Sequence, residues 1–156
     1  MLKYLVTFIL GMMPIIEIRG AIPVGVGMGL SYFQAFLVGF VGNIIPIYFI
    51  VKYIVPVFDF LGKFKIFKII IEWVNDKATK KIKGNKRLQN CTALGLYLFV
   101  AIPIPGTGAW VGSLIANILG MPIKKAVPPL ILGVITAGII VLLATGSVVT
   151  IFQAVS

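Results

Sequence analysis

Two stretches of this chain interrupt apolar runs that are too short to cross a membrane. Residues Glu17, Ile18, Arg19, Gly20, Ala21, Ile22 and Pro23 form the first, and Ile102 to Trp110 (Ile-Pro-Ile-Pro-Gly-Thr-Gly-Ala-Trp) form the second. As a helix, an apolar run of about a dozen residues reaches roughly 18 Å. A hydrocarbon core is about 30 Å thick. Each run must therefore stop inside the bilayer or continue through a break. Broken backbone at that depth is stable only when it is buried in protein or lines a wet cavity. Transport sites have that geometry, so the two breaks are the first places to look for function.

That a bilayer is the right solvent follows from composition. Of 156 residues, 60% are hydrophobic and only 12% are charged, against about a quarter charged in a soluble domain. One membrane domain over residues 1–156 is expected. The formal net charge of +10 does not point to nucleic acid, because nine of the fourteen Lys and Arg lie between Lys63 and Arg87. A cluster of that kind marks a short cytoplasmic loop beside anionic lipid. No nucleic-acid motif accompanies it. One cysteine and no histidine leave no intramolecular disulfide, zinc site or Cys/His catalytic pair to assemble. With four acids in all, a hydrolase or transferase centre is hard to build, so neither an enzyme nor a cofactor is expected. The apolar N-terminus lacks a small-x-small cleavage site and reads as a retained membrane segment.

The order of segments suggests a repeat. Residues 2–16 are apolar, and 20–30 are apolar with four glycines. At roughly 1 kcal/mol each relative to alanine, those glycines argue against an independent helix there. Residues 31–55 are long enough to span. The second half follows suit: a short run over 91–102, the break, a Gly-containing run over 109–121, and a span over 122–145. A shift of 91 residues sets Gly29 on Gly120, Ser31 on Pro122, Ala35 on Ala126 and Gly42 on Gly133. The division is 1–56 for the first repeat, 57–90 for a basic segment and 91–156 for the second repeat. Within the middle segment, a helix over 63–76 gathers Lys65, Lys68, Glu72, Asn75 and Asp76 on one face, as in an amphipathic helix lying on the cytoplasmic leaflet. A cytoplasmic extension of a membrane helix is the alternative.

Charge sets the orientation. With 60–90 cytoplasmic, 31–55 runs outside to inside, and 122–145 returns with Lys124 and Lys125 at the cytoplasmic face. The hairpin over 2–30 then enters from outside and the hairpin over 91–121 from inside. The expected architecture is an all-α integral membrane protein of the cell (inner) membrane. It has two inverted repeats, each a re-entrant helical hairpin plus a full transmembrane helix, with a central amphipathic cytoplasmic helix and with hairpin tips meeting near the midplane.

Glu17 to Pro23, paired with Pro103 to Ser113, resembles the bacterial and archaeal family labelled small multi-drug export protein. The resemblance covers nearly the whole chain. More distantly, the chain is similar to the DedA superfamily, whose facing re-entrant hairpins are linked to lipid translocation. DedA proteins place an acid in the first hairpin and an Arg beside a Pro-Gly in the second. Glu17 matches the acid and Pro105-Gly106 matches the Pro-Gly. Thr107, Gly108 and Trp110 stand where the arginine is expected.

The candidate site comprises Glu17, Arg19, Gly20, Pro23, Asn43, Pro103, Pro105, Gly106, Thr107, Gly108 and Trp110. An acid at membrane depth is a functional candidate by default, and an apolar site disfavours its charged form, which brings proton exchange near neutral pH within reach. Its structural alternatives are a pair with Arg19 or a cap for the segment beginning at Gly20. Arg19 can hold an anionic head group through its planar fork or neutralise Glu17. The Pro103–Gly108 break offers backbone groups and the Thr107 hydroxyl to a ligand, and a helix starting near Thr107 suits an anion; its alternative is a plain re-entrant turn. Trp110 lines a pocket or packs. Asn43, Ser113 and Asn117 tie helices together, with Asn43 the best placed of these to meet a substrate. The functional expectation is a secondary carrier, proton-coupled through Glu17, for an amphipathic or lipid-like anion. A scaffold that shapes the bilayer is the alternative. Membrane lipids, the small-molecule or lipid substrate and further copies of the chain (a homo-oligomer) are the expected partners.

Overall fold

The computed structural model describes residues 1–61, 86–104 and 107–155. The amphipathic helix expected over 63–76, with most of the basic loop after it, lies outside these residues, as do Pro105 and Gly106. Six helices make up the described residues: α1 Leu2–Met12, α2 Glu17–Gly27, α3 Tyr32–Leu61, α4 Lys86–Ala101, α5 Ala109–Ile118 and α6 Ile123–Val155. Two of them, over Tyr32–Tyr53 and Ile123–Ile151, are long and apolar enough to cross a membrane. Their outer faces carry large exposed apolar side chains, among them Phe33, Val41, Leu132 and Leu143, as lipid requires and water does not.

Helix ends follow local chemistry. Met13 is extended (φ −73°, ψ 136°) and ends α1, because the ring of Pro14 disfavours the α region in the residue before it. At the end of α2, Gly29 adopts φ +82°, a conformation open to glycine without penalty. Its N–H donates to Val26 O (2.9 Å) and that of Leu30 to Gly25 O (3.0 Å), a Schellman closure. Lys3 Nζ reaches from the start of α1 to Gly29 O at 2.7 Å. α3 then opens on a capping box, with Ser31 N to Gln34 Oε1 at 3.2 Å and Gln34 N to Ser31 Oγ at 3.3 Å.

The same backbone closure recurs 91 residues later. Gly120 takes φ +62°, and its N–H donates to Asn117 O (2.8 Å) while that of Met121 donates to Ala116 O (2.9 Å). The first bonds of the following long helices match as well: Ala35 N to Ser31 O (2.9 Å) and Ala126 N to Pro122 O (3.0 Å). Packing follows this pattern. α1 and α2 lie against α3, and α4 and α5 against α6; α5 also meets α3, α2 meets α6, and the two long helices touch each other.

Close approach within each half requires glycine. A Cβ on Gly42 of α3 would fall on Phe8 O of α1, and one on Gly133 of α6 would lie 2.7 Å from Val100 Cβ of α4. We expect Gly42→Ala to push α1 off α3 at about 1–3 kcal/mol, read as a lower thermal midpoint in detergent; an unchanged midpoint would show that α1 has room to give.

Two expectations are corrected. Residues 20–30 do not avoid a helix: most of them lie in α2, even with Pro23 inside it. Burial of Ile18, Ala21 and Ile22, each at most 1% exposed, outweighs the weak propensity of glycine. The first break is also shorter and earlier than Glu17–Pro23. It occupies 13–16, and Glu17 already begins α2. The core bridges the halves, joining Ile18 and Ile22 to Ile47 of α3, Val100 of α4, and Leu130 and Val134 of α6.

Candidate functional site

The second break lies between two helix ends of opposite polarity. α4 finishes at Ala101 and leaves carbonyls without intrahelical donors; α5 starts at Ala109 and leaves N–H groups without acceptors. Its N-cap residue is Gly108, and no side chain from that position caps the helix. The first half supplies both missing partners.

Glu17 fills the N-terminal end. The residue is 3% exposed; its Oε2 accepts from Ala109 N at 3.2 Å and its Oε1 from Trp110 N at 3.1 Å. A negative charge there also meets the positive end of the helix dipole. Gly108 must be glycine for this to happen, since a Cβ would land on the carboxylate itself. Glu17 adopts φ +50°, a left-handed conformation that costs an L-residue about 1–2 kcal/mol. This takes its backbone out of the helical path, so that Glu17 and Arg19, two positions apart, can both address the same break although a regular helix would turn them away from each other.

Arg19 fills the C-terminal end. Nη1 donates to Ile104 O. Nη2 lies 3.3 Å from Val100 O, 3.1 Å from Ile102 O and 2.6 Å from Thr107 O, and 3.2 Å from Thr107 Oγ1. A guanidinium suits this task because it presents several donors in one plane. The Thr107 hydroxyl is 2.9 Å from both Ile102 O and Ile104 O and donates within the break.

Trp110 repays the contact in the other direction. Its Nε1 donates to Met12 O, at the end of α1, at 3.2 Å. Arg19 and Trp110 stand 91 residues apart, and each donates to the end of the first short helix in the opposite half.

The structure therefore gathers Glu17, Arg19, Thr107, Gly108 and Trp110 into one cluster, with half-buried Pro103 between the carbonyls of Ile102 and Ile104 that Arg19 holds. Glu17 and Arg19 take their hydrogen-bond partners from the second half rather than from each other, and Glu17 caps α5 rather than its own helix. Gly20 and Pro23 are not part of the cluster: Gly20 faces Ile16, and Pro23 is exposed. Of the residues expected to tie helices, Asn117 does so, with Nδ2 donating to Ile50 O at 3.3 Å. Ser113 bonds to Ala109 O in its own helix at 2.6 Å. Asn43 is fully buried with neither amide atom hydrogen-bonded.

Sequence reasoning missed the partners that are backbone: the carbonyls of Met12, Val100, Ile102 and Ile104 and the N–H of Ala109. A glycine at the N-cap of α5 is the one residue-level signal of a missing cap. Among the described residues, no group of three His, Cys, Asp or Glu side chains stands together as a metal site. An open groove of about 670 Å³ between Tyr32 and the Leu142–Ile151 end of α6 is lined by apolar and hydroxyl side chains. None of the clustered residues lines it, and no charged side chain does.

A family model described as "Putative small multi-drug export protein" matches residues 17–140, a range that takes in every residue of this cluster. No curated protein and no solved structure matches the chain.

Proposed function

The chain belongs to the small multi-drug export protein family, and we propose that it is a secondary transporter of a small amphipathic, lipid-like anion, coupled to protons through Glu17. The observation that carries this reading is the carboxylate of Glu17 on the first N–H groups of α5. A helix N-terminus is an anion site, and here a side chain of the protein stands in for the anion.

Competition follows from that arrangement. Ionised Glu17 occupies the two N–H groups and excludes another anion. Protonated Glu17 loses its charge and one acceptor, so its hold on α5 weakens and an anionic head group takes the place. Hydrogen bonds to charged groups are worth about 1.5–3 kcal/mol each, enough to shift occupancy by an order of magnitude or more. Proton and anion thus favour each other's binding, and by linkage the effect is reciprocal.

In this reading the halves are inverted repeats, each a re-entrant pair (α1–α2, α4–α5) with one full span (α3, α6), and the pair tips meet near the midplane. The backbone closures repeated at 91 residues and the lysines at 124 and 125 support it. The basic segment over 60–90 is cytoplasmic, and a homo-oligomer completes the wall around a pathway for which one chain has few spans.

The test is uptake of dodecyl phosphate into proteoliposomes under a pH gradient. Glu17→Gln, a permanent mimic of the neutral acid, should bind the anion independently of pH and lose at least tenfold of the gradient-driven rate while keeping its helical signal. Full gradient-driven transport in that variant would sink the coupling. A scaffold reading has one observation in its favour, that the Glu17 carboxylate is already satisfied; it requires that dodecyl phosphate give no thermal stabilisation at any pH.

A further inference from the structure

Asn43 has no exposed surface, and neither its Oδ1 nor its Nδ2 has a hydrogen-bond partner. An orphaned buried polar group costs about 1–3 kcal/mol, and a leucine of similar size would avoid that cost. Packing gives no reason for an amide there.

Its place on α3 gives one. Gly39, one turn earlier, faces α2, where an added Cβ would lie 3.2 Å from Ala21 Cβ and 3.7 Å from Ile18 Cγ1. Ile50, about two turns later, is the residue whose carbonyl accepts from Asn117 of α5. By the helical period, positions 39, 43 and 50 fall on one face. Asn43 therefore lies on the stretch of α3 between its contact with α2 and its contact with α5, the two helices that Glu17 ties together.

We propose that Asn43 is the polar contact for the transported molecule. When Glu17 releases α5, the seam between α2 and α5 opens onto this face of α3. A substrate group with both a hydrogen-bond donor and an acceptor, such as an amide, a hydroxyl or a singly protonated phosphate, then pairs with both ends of the carboxamide. The anionic oxygens of the head group go to α5 and its donor–acceptor pair, on the same phosphate or on an adjoining amide or hydroxyl, goes to Asn43, so charge and hydrogen bonding select the substrate together. This rests on the Glu17 reading above.

Cys91 is the sole cysteine and is exposed, so Cys91→Ser gives a clean background for thiol labelling. In proteoliposomes, Asn43→Cys should react slowly with a small hydrophilic methanethiosulfonate, and at least tenfold faster once Glu17→Gln is added. Dodecyl phosphate should slow the fast reaction again. Ile47→Cys, one turn along the same face and 1% exposed, provides a second position should the first fold poorly, with the same dependence expected. Asn43→Leu should raise the thermal midpoint by about 2–4 °C and lower transport at least tenfold. Slow labelling at both positions in both backgrounds overturns the contact, as does fast labelling that dodecyl phosphate leaves unchanged, or a lower midpoint for Asn43→Leu. Fast labelling in both backgrounds, slowed by dodecyl phosphate, keeps the contact and removes Glu17 as its gate.

Discussion

Replacing Arg19 with alanine is expected to destabilise the protein by about 2–4 kcal/mol and to loosen the second break at its α4 end. The guanidinium serves the carbonyls of Val100, Ile102, Ile104 and Thr107. Each charge-assisted bond is worth about 1.5–3 kcal/mol. Bonds made by one side chain to one turn of backbone do not add, and Arg19 is half-buried, so the sum is held well below that of four. Lysine at this position should recover only part of the loss, because a point charge on a flexible stem cannot reach carbonyls on both sides of the break as a planar fork does. Thermal unfolding in detergent, followed by circular dichroism, reads the effect. A midpoint for Arg19→Ala within a degree of the parent would mean that water or lipid caps these carbonyls equally well.

The second large effect is expected at Gly108. Alanine adds one methyl group, yet that methyl occupies the space of the Glu17 carboxylate. Glu17 must withdraw or the break must shift, and withdrawal forfeits both bonds to α5. The cost is about 2–4 kcal/mol. Functionally, Gly108→Ala should resemble Glu17→Gln, with gradient-driven transport lost at least tenfold although no titratable group has been removed. A double-variant cycle separates this from a simple backbone effect. If the methyl acts by displacing the carboxylate, adding Gly108→Ala to Glu17→Ala should cost at least 1 kcal/mol less than it does in the parent, the signature of two changes sharing one contact. Strict additivity would show that glycine is needed for the backbone path alone.

Much of this was legible before any coordinates. Apolar runs marked the two long helices and the short runs before each break, and Gly29 and Gly120, matched by the 91-residue shift, are the left-handed glycines that close α2 and α5. Glu17 and Arg19 stood out as charges among apolar neighbours. Three things were not legible. The helix over Glu17–Gly27 is made by burial of Ile18, Ala21 and Ile22, and local propensity argues against it. The first break moved upstream because Pro14 acts on Met13 before it rather than on the charged residues after it. The partners of both charges are main-chain groups of residues 81 to 93 positions away, which no side-chain pattern announces.

α5 has ten residues, fewer than the roughly 12–15 at which an isolated helix becomes even marginally stable in water, and its own cap residue has no side chain to begin it. The acceptor for its first N–H groups is Glu17, which leaves the ribosome about ninety residues earlier. Synthesis thus delivers the capping carboxylate before the segment it caps, and the first half is expected to guide the folding of the second. A chain cut between them and expressed as two pieces should assemble only when the N-terminal piece is already in the membrane.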